Sequence, residues 1–214
     1  KYLPNEHTFT HLDLPNFNLE NNVFANSLKA PGRRDRITRQ KTPKSYLIQL
    51  KAKTTADNVA LVPQWPQSAL MQSSYISNSR AACENLKQGQ IKQSLPQSIL
   101  VSPTFSVSNK FLDESLNEIK GYEKILRNYI FEGLLRKSTS SWTVVDDNTS
   151  VDLIYDSTKS PIEIPPSAPP AFNFYYIPSL SEAEFKVFPI KLNISKDKEL
   201  IEVIKAFLDH HIDI

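Results

Sequence analysis

The residues of this chain best suited to chemistry are few, and their spacing does not favour it. Glu6-His7-x-x-x-His11 with Asp13 is the one arrangement that resembles a set of metal ligands. Two histidines at i and i+4 converge on one ion only from a helix, and Pro4, Thr8, Thr10 and Pro15 oppose a helix there. In extended backbone, at about 3.3 Å per residue, they would stand about 13 Å apart. A structural or solvated role is the more economical reading. His210 and His211 end the closing helix, where imidazoles suit the terminal carbonyls and the negative end of the dipole. Cys83, the single cysteine, has no C-x-x-C partner and lies far in sequence from any histidine. No G-x-S-x-G elbow and no EF-hand loop occur, and Asp146-Asp147 reads as turn chemistry rather than an acid–base pair. The four glycines, Gly32, Gly89, Gly121 and Gly133, are too scattered to cradle a phosphate. No catalytic, cofactor-binding or metal-binding residue is assigned, and the chain reads as a non-enzyme.

Charge offers a different chemistry. Residues 29–44 carry Lys29, Arg33, Arg34, Arg36, Arg39, Lys41 and Lys44 against Asp35 alone, seven cations and one anion for a net +6. The whole chain is only +2, so the remainder is mildly acidic. Guanidinium presents a fixed fork of donors that suits phosphates and carboxylates. Arg33, Arg34, Arg36, Arg39 and Lys41 are therefore the candidate contacts to nucleic acid or to an acidic protein surface. A solvated linker is the bland alternative. No aromatic residue interleaves with these charges, so base stacking is not suggested by the stretch itself. Thr42-Pro43 inside it has the form of a proline-directed phosphorylation site, a very short motif.

The elements that must position these groups differ along the chain. Residues 1–28 mix Asn and Pro with isolated large apolar residues and read as an extended strip that docks side chain by side chain. Tyr46–Leu50 suits a strand. Residues 54–76 lack sustained periodicity and hold Trp65 between Pro63 and Pro66, so Trp65 reads as a partner anchor or a local core plug. A modest helix is expected over 79–95. Over 109–137, Leu112, Leu116, Ile119, Tyr122, Leu126, Ile130 and Leu134 recur at steps of three and four, which predicts one long amphipathic helix of about 43 Å. A helix of that reach pairs with another chain or forms a long core element, and Leu112, Leu116, Ile119, Leu126, Ile130 and Leu134 are taken as docking positions alongside Trp65. The last third reads as a small α+β unit. Trp142–Val145 and Val151–Tyr155 flank a turn as a hairpin, 161–170 is a proline-rich connector, and 172–177 and 185–194 supply strands. A closing helix over about 196–212 follows Ser195 as its N-cap.

The fold class is thus α+β, in three parts. These are an extended, largely irregular docking region 1–108, a long helix 109–137, and a small module 138–214 that ends in a buried helix. The lone cysteine favours a reducing, intracellular compartment, and no apolar run long enough to cross a membrane is present. Opening on Lys1 with only Met71 suggests a piece of something longer. The leading functional expectation is a non-catalytic scaffold or adaptor subunit of a large nuclear complex acting on chromatin or transcription, with a kinetochore subunit equally compatible. It would use other protein subunits as partners and no membrane. The rivals are a structural RNA-associated subunit of ribosome biogenesis or RNA processing, and an enzyme of unrecognised class.

Overall fold

The computed structural model describes residues 23–54, 59–68, 73–101, 106–138, 150–163, 171–173, 175 and 190–211. The fold is mixed α+β. The chain divides into two compact units, Lys1–Asn26 with Val144–Lys198, and Ser27–Thr143 with Glu199–Ile214. That division does not follow sequence boundaries after 108 and 137, because the closing helix returns to the unit that holds the basic stretch.

In the larger unit the basic stretch is a hairpin, β1 (Gly32–Arg34) with β2 (Lys41–Pro43), following α1 (Val23–Lys29). A three-stranded antiparallel sheet comes next, β3 (Leu47–Thr54) between β4 (Val59–Gln64) and β5 (Ser73–Ser77). The described residues between 32 and 101 therefore lie largely in strands and short helices, where the sequence suggested an extended, largely irregular region. Pro63 is accommodated because β4 is an edge strand, where a missing ladder N–H is tolerated. The pairings Ile48↔Ile76 and Ala52↔Leu61 put Ile48, Leu50, Leu61 and Ile76 on one face, and all four are almost fully buried. Gln49, Lys51, Lys53, Val62, Gln64 and Tyr75 share the other face.

Short helices α2 (Arg80–Glu84), α3 (Gln88–Gln93) and α4 (Gln97–Leu100) follow, in place of one helix over 79–95. The long helix predicted over 109–137 is two helices, α5 (Asn109–Lys120) and α6 (Tyr122–Ser138). Gly121 ends the first, its N–H returning to Asn117 O, and begins the second, its carbonyl accepting Lys124 N–H at 3.1 Å. Ser108 caps α5 by accepting Phe111 N–H at 3.1 Å. α5 lies along β4, and Leu61 N–H donates to Ser115 Oγ at 2.9 Å, which in turn donates to Phe111 O. On the opposite side Arg36 N–H donates to Tyr75 O at 2.8 Å. Helix α7 (Lys198–His211) buries Leu200 through Leu208 save Glu202. It comes so close to α6 that a Cβ on Gly133 would stand 2.7 Å from Leu200 Cδ1.

The smaller unit holds a four-stranded sheet ordered β7 (Ile162–Glu163), β8 (Ala171–Asn173), β6 (Ser150–Ile154) and β9 (Ile190–Asn193). β6 pairs parallel with β8 and antiparallel with β9. Val151, Leu153, Phe172 and Leu192 are fully buried, with the Phe24 ring edge-on to Phe172 at 6.3 Å. Ser195 is not a helix cap: it sits in the turn where Asn193 Oδ1 accepts its N–H at 3.0 Å, and α7 begins three residues later. The predicted strand Trp142–Val145, the turn Asp146-Asp147, most of the proline-rich connector and most of the docking strip 1–28 lie outside the described residues.

Candidate functional site

The hairpin 32–43 sets its charge outward by consuming its one acid. Asp35 is 2% exposed. Its Oδ1 accepts Ile37 N–H at 2.7 Å and its Oδ2 accepts the Thr38 hydroxyl at 2.8 Å. Asp35 N–H donates to Gln40 O at 2.9 Å and Arg39 N–H to Asp35 O at 3.0 Å, with Arg39 at φ 66° closing the loop. The carboxylate thus builds the turn and neutralises none of the cations. Arg33, Arg34, Arg39 and Lys41 are exposed and Arg36 is half-buried. None of the five forms an ion pair among the described residues, and Arg34 and Lys41 face each other across the strand pair. All five candidate cations are gathered on one small, preorganised element. Sequence reasoning found the charges and missed the hairpin; the Asp35-x-x-Thr38 pattern, an Asx-type turn, was its signal.

Trp65 is placed by a clamp. The side chain of Gln49, buried within the sheet, donates to Ser68 O at 3.1 Å and to Ser73 Oγ at 2.9 Å and accepts Ser68 N–H at 2.8 Å. Gln67 donates to the carbonyls of Lys44 and Leu47, and Lys44 Nζ to Ser68 O. Residues 65–68, which open with a cis Trp65–Pro66 bond, are so tied to the strand that leaves the hairpin. Gln49→Ala removes three of these bonds and is expected to cost about 2 kcal/mol, read as a lowered urea midpoint with an unchanged slope.

Trp65 lines a groove of about 580 Å³ with Lys51, Lys53, Gln64, Ile125 and Tyr129. The helix stripe assigned to partner docking lies elsewhere. Leu112, Ile119, Leu126, Ile130 and Leu134 are at most 2% exposed and Leu116 is half-buried, so these residues belong to the protein's own interior. The outward side of α6 carries instead Tyr129, Phe131 and Leu135, each 40–46% exposed. Periodicity marked the buried stripe correctly as apolar but carried no information on which chain would cover it.

The remaining reactive groups are sequestered. Burial pushes the Cys83 thiol up to about 12, which leaves almost no thiolate at neutral pH. His210 is buried, its Nδ1 3.0 Å from Asn78 Oδ1. Among the described residues no three His, Cys, Asp or Glu side chains gather as metal ligands, and no helix is long and apolar enough to cross a membrane. His7 and His11 lie outside them.

Comparison with known proteins places these features in a family. The family described as Required for respiratory growth protein 8, mitochondrial, matches residues 1–210. A Zygosaccharomyces rouxii protein of that name is 31% identical over 173 residues, 76% of this chain and 60% of the relative. Its Kluyveromyces lactis namesake is 32% identical over 149 residues, 65% of this chain and 52% of the relative. An Eremothecium gossypii namesake is 36% identical over 80 residues, 35% of this chain and 28% of the relative. The chain spans 60% or less of the length of these relatives. No solved structure matches. Relatives named as mitochondrial overturn the expectation of a nuclear protein, and with it the chromatin, transcription and kinetochore readings. That expectation rested on the basic stretch alone, and clustered arginine attracts any polyanion in any compartment. With 210 of its 214 residues matched, the chain belongs to the family Required for respiratory growth protein 8, mitochondrial.

Proposed function

We propose that this chain is a non-catalytic binding component that acts in mitochondria in support of respiratory growth, and that its basic hairpin holds a nucleic-acid strand by the phosphates. The relatives' name supplies the compartment and the physiological setting. The observation that carries the binding role is that every charged side chain exposed on 32–43 is a cation, the only carboxylate of the hairpin being withdrawn into its turn. Interfaces between proteins set an apolar or aromatic centre inside a polar rim. The exposed residues here are Gly32, Arg33, Arg34, Thr38, Arg39, Gln40 and Lys41, with no apolar centre, so a phosphate backbone suits the hairpin better than an acidic protein surface. The sequestered Cys83 and His210 support a non-catalytic role.

Fluorescence anisotropy with a labelled single-stranded RNA tests this. Reversing Arg33, Arg34, Arg36 and Arg39 to Glu is expected to weaken binding at least about 30-fold and to lower the slope of log K against log salt by about 3, at about 0.7 for each phosphate no longer neutralised. Equal affinity of the reversed and natural chains would sink the hairpin reading. So would polyglutamate displacing the RNA at equal charge, since the hairpin would then prefer a carboxylate partner. Fractionation of cells that express the full-length protein checks the compartment.

A further inference from the structure

The groove at Trp65 belongs to the same unit as the hairpin and is assembled from residues that nothing in the linear order connects. The pairing Gln49↔Gln64 brings the end of β4 beside the strand that leaves the hairpin, and the bonds from Gln67 and Ser68 back to Lys44, Leu47 and Gln49 hold Trp65 there. Helix α6 contributes Tyr129, 41% exposed. Lys51 and Lys53 come from β3. The basic stretch lacks aromatic partners in sequence, and the fold supplies them from two other elements.

We infer that this groove seats a nucleotide of single-stranded RNA, its base against the rings of Trp65 and Tyr129 and its flanking phosphates at Lys51 and Lys53. This rests on the hairpin binding the same strand. Three observations carry it. Aromatic rings beside lysines are the combination that single strands use, rings stacking on any base while cations follow the backbone. An apolar segment of a protein partner would use the rings and leave both lysines without a counter-charge. The volume of about 580 Å³ falls within the range of about 300–1,000 Å³ typical of clefts for small ligands. Gln64 Oε1, moreover, is buried in the lining without a hydrogen-bond partner among the described residues. It can only accept, so its complement is an N–H or O–H donor. A ribose 2′-hydroxyl provides one, and an acyl chain or aliphatic side chain does not. The 2′-hydroxyl is also the group by which a protein tells RNA from DNA.

The test uses the full chain in a Trp142→Phe background, which leaves Trp65 as the only tryptophan. An oligouridylate of about 20 nucleotides is expected to quench Trp65 fluorescence, and an abasic ribose-phosphate strand of equal length is expected to bind more weakly without quenching. Tyr129→Ala, at an exposed position, is expected to weaken oligouridylate binding about 10-fold, and Lys53→Glu to reduce the salt slope. Oligodeoxyuridylate should bind more weakly than oligouridylate. Absence of quenching, equal affinity for the abasic strand, or equal affinity for the deoxy strand would each overturn the assignment, and all three are measured without altering the groove. The two readings separate cleanly. If the Arg→Glu chain loses RNA while Tyr129→Ala retains it, the groove assignment fails alone; if the Arg→Glu chain binds RNA normally, the hairpin reading fails.

Discussion

Replacing Lys205 by Met is expected to cost about 3–5 kcal/mol of stability, the range for a buried ion pair that loses one partner. Lys205 and Asp209 lie one turn apart on α7, their side chains only 4% and 6% exposed, with Nζ 2.5 Å from Oδ2. The ammonium also stands 4.0 Å from the centroid of the Tyr46 ring. Burial holds the Asp209 carboxyl above the ordinary carboxylate range while Lys205 pulls it back down. Without Lys205 only the burial remains. A carboxyl whose folded value is raised contributes stability at low pH that is lost as pH rises through that value. The penalty of Lys205→Met should therefore be largest near neutrality and shrink on acidification. Lys205→Met with Asp209→Leu removes both charges and should recover most of the loss, since two apolar side chains in the same space leave nothing unpaired. Urea unfolding of the single and double variants measures the cycle. A single-variant loss under about 1 kcal/mol would show that the pair is hydrated in solution.

Acidification should destabilise the natural chain through His210. Its ring is 3% exposed, edge-on to Tyr122 at 5.6 Å and to His211 at 5.8 Å. Asn78 donates its amide N–H to Ala206 O at 2.8 Å, so its Oδ1 is the acceptor and His210 Nδ1 carries the proton. Burial, followed by the neighbouring His211 and with a smaller push from Arg80, lowers His210 from 6.5 to about 4, while Glu123 and Glu84 pull upward. The unfolded chain thus takes up a proton near pH 6.5 that the folded chain refuses until about pH 4. Stability from this group is complete above pH 6.5 and falls through the window down to about pH 4, by about 3 kcal/mol. His211 is lowered in the same direction, again chiefly by burial. His210→Gln keeps a donor for Asn78 and cannot titrate. Between pH 7 and 4 that variant should lose about 3 kcal/mol less than the natural chain. Identical pH profiles for the two chains would remove His210 from the account.

What the sequence revealed follows from which forces act locally. The apolar steps from Leu112 to Leu134 were readable because helical periodicity is a property of the segment itself. The break at Gly121 was not, because one residue without a Cβ interrupts no stripe: Ile119 and Tyr122 keep the spacing on either side. Tyr46–Leu50 declared a strand by composition, while β5, which reads Ser-Ser-Tyr-Ile-Ser, declared none. It exists through its partner, since Ile48↔Ile76 buries two side chains that neither segment could bury alone. The site divides the same way. Arg33, Arg34, Arg36, Arg39 and Lys41 were visible as charge, whereas the groove required β3, β4 and α6 to converge from 51 to 129. No window of sequence contains that convergence.

The bond from Leu61 N–H to Ser115 and that from Arg36 N–H to Tyr75 O fall on opposite borders of the three-stranded sheet. Each border is thereby met by another part of the chain. A bare border is a template on which a foreign strand, or a second copy of the same protein, can zip by main-chain hydrogen bonds alone. With one main-chain group engaged on each border, a foreign strand that zipped onto this sheet would first have to displace a bond the chain already makes, which hinders edge-to-edge sticking of crowded new chains. Association is thereby shifted from backbone pairing toward side-chain recognition, which puts selectivity under the control of individual residues.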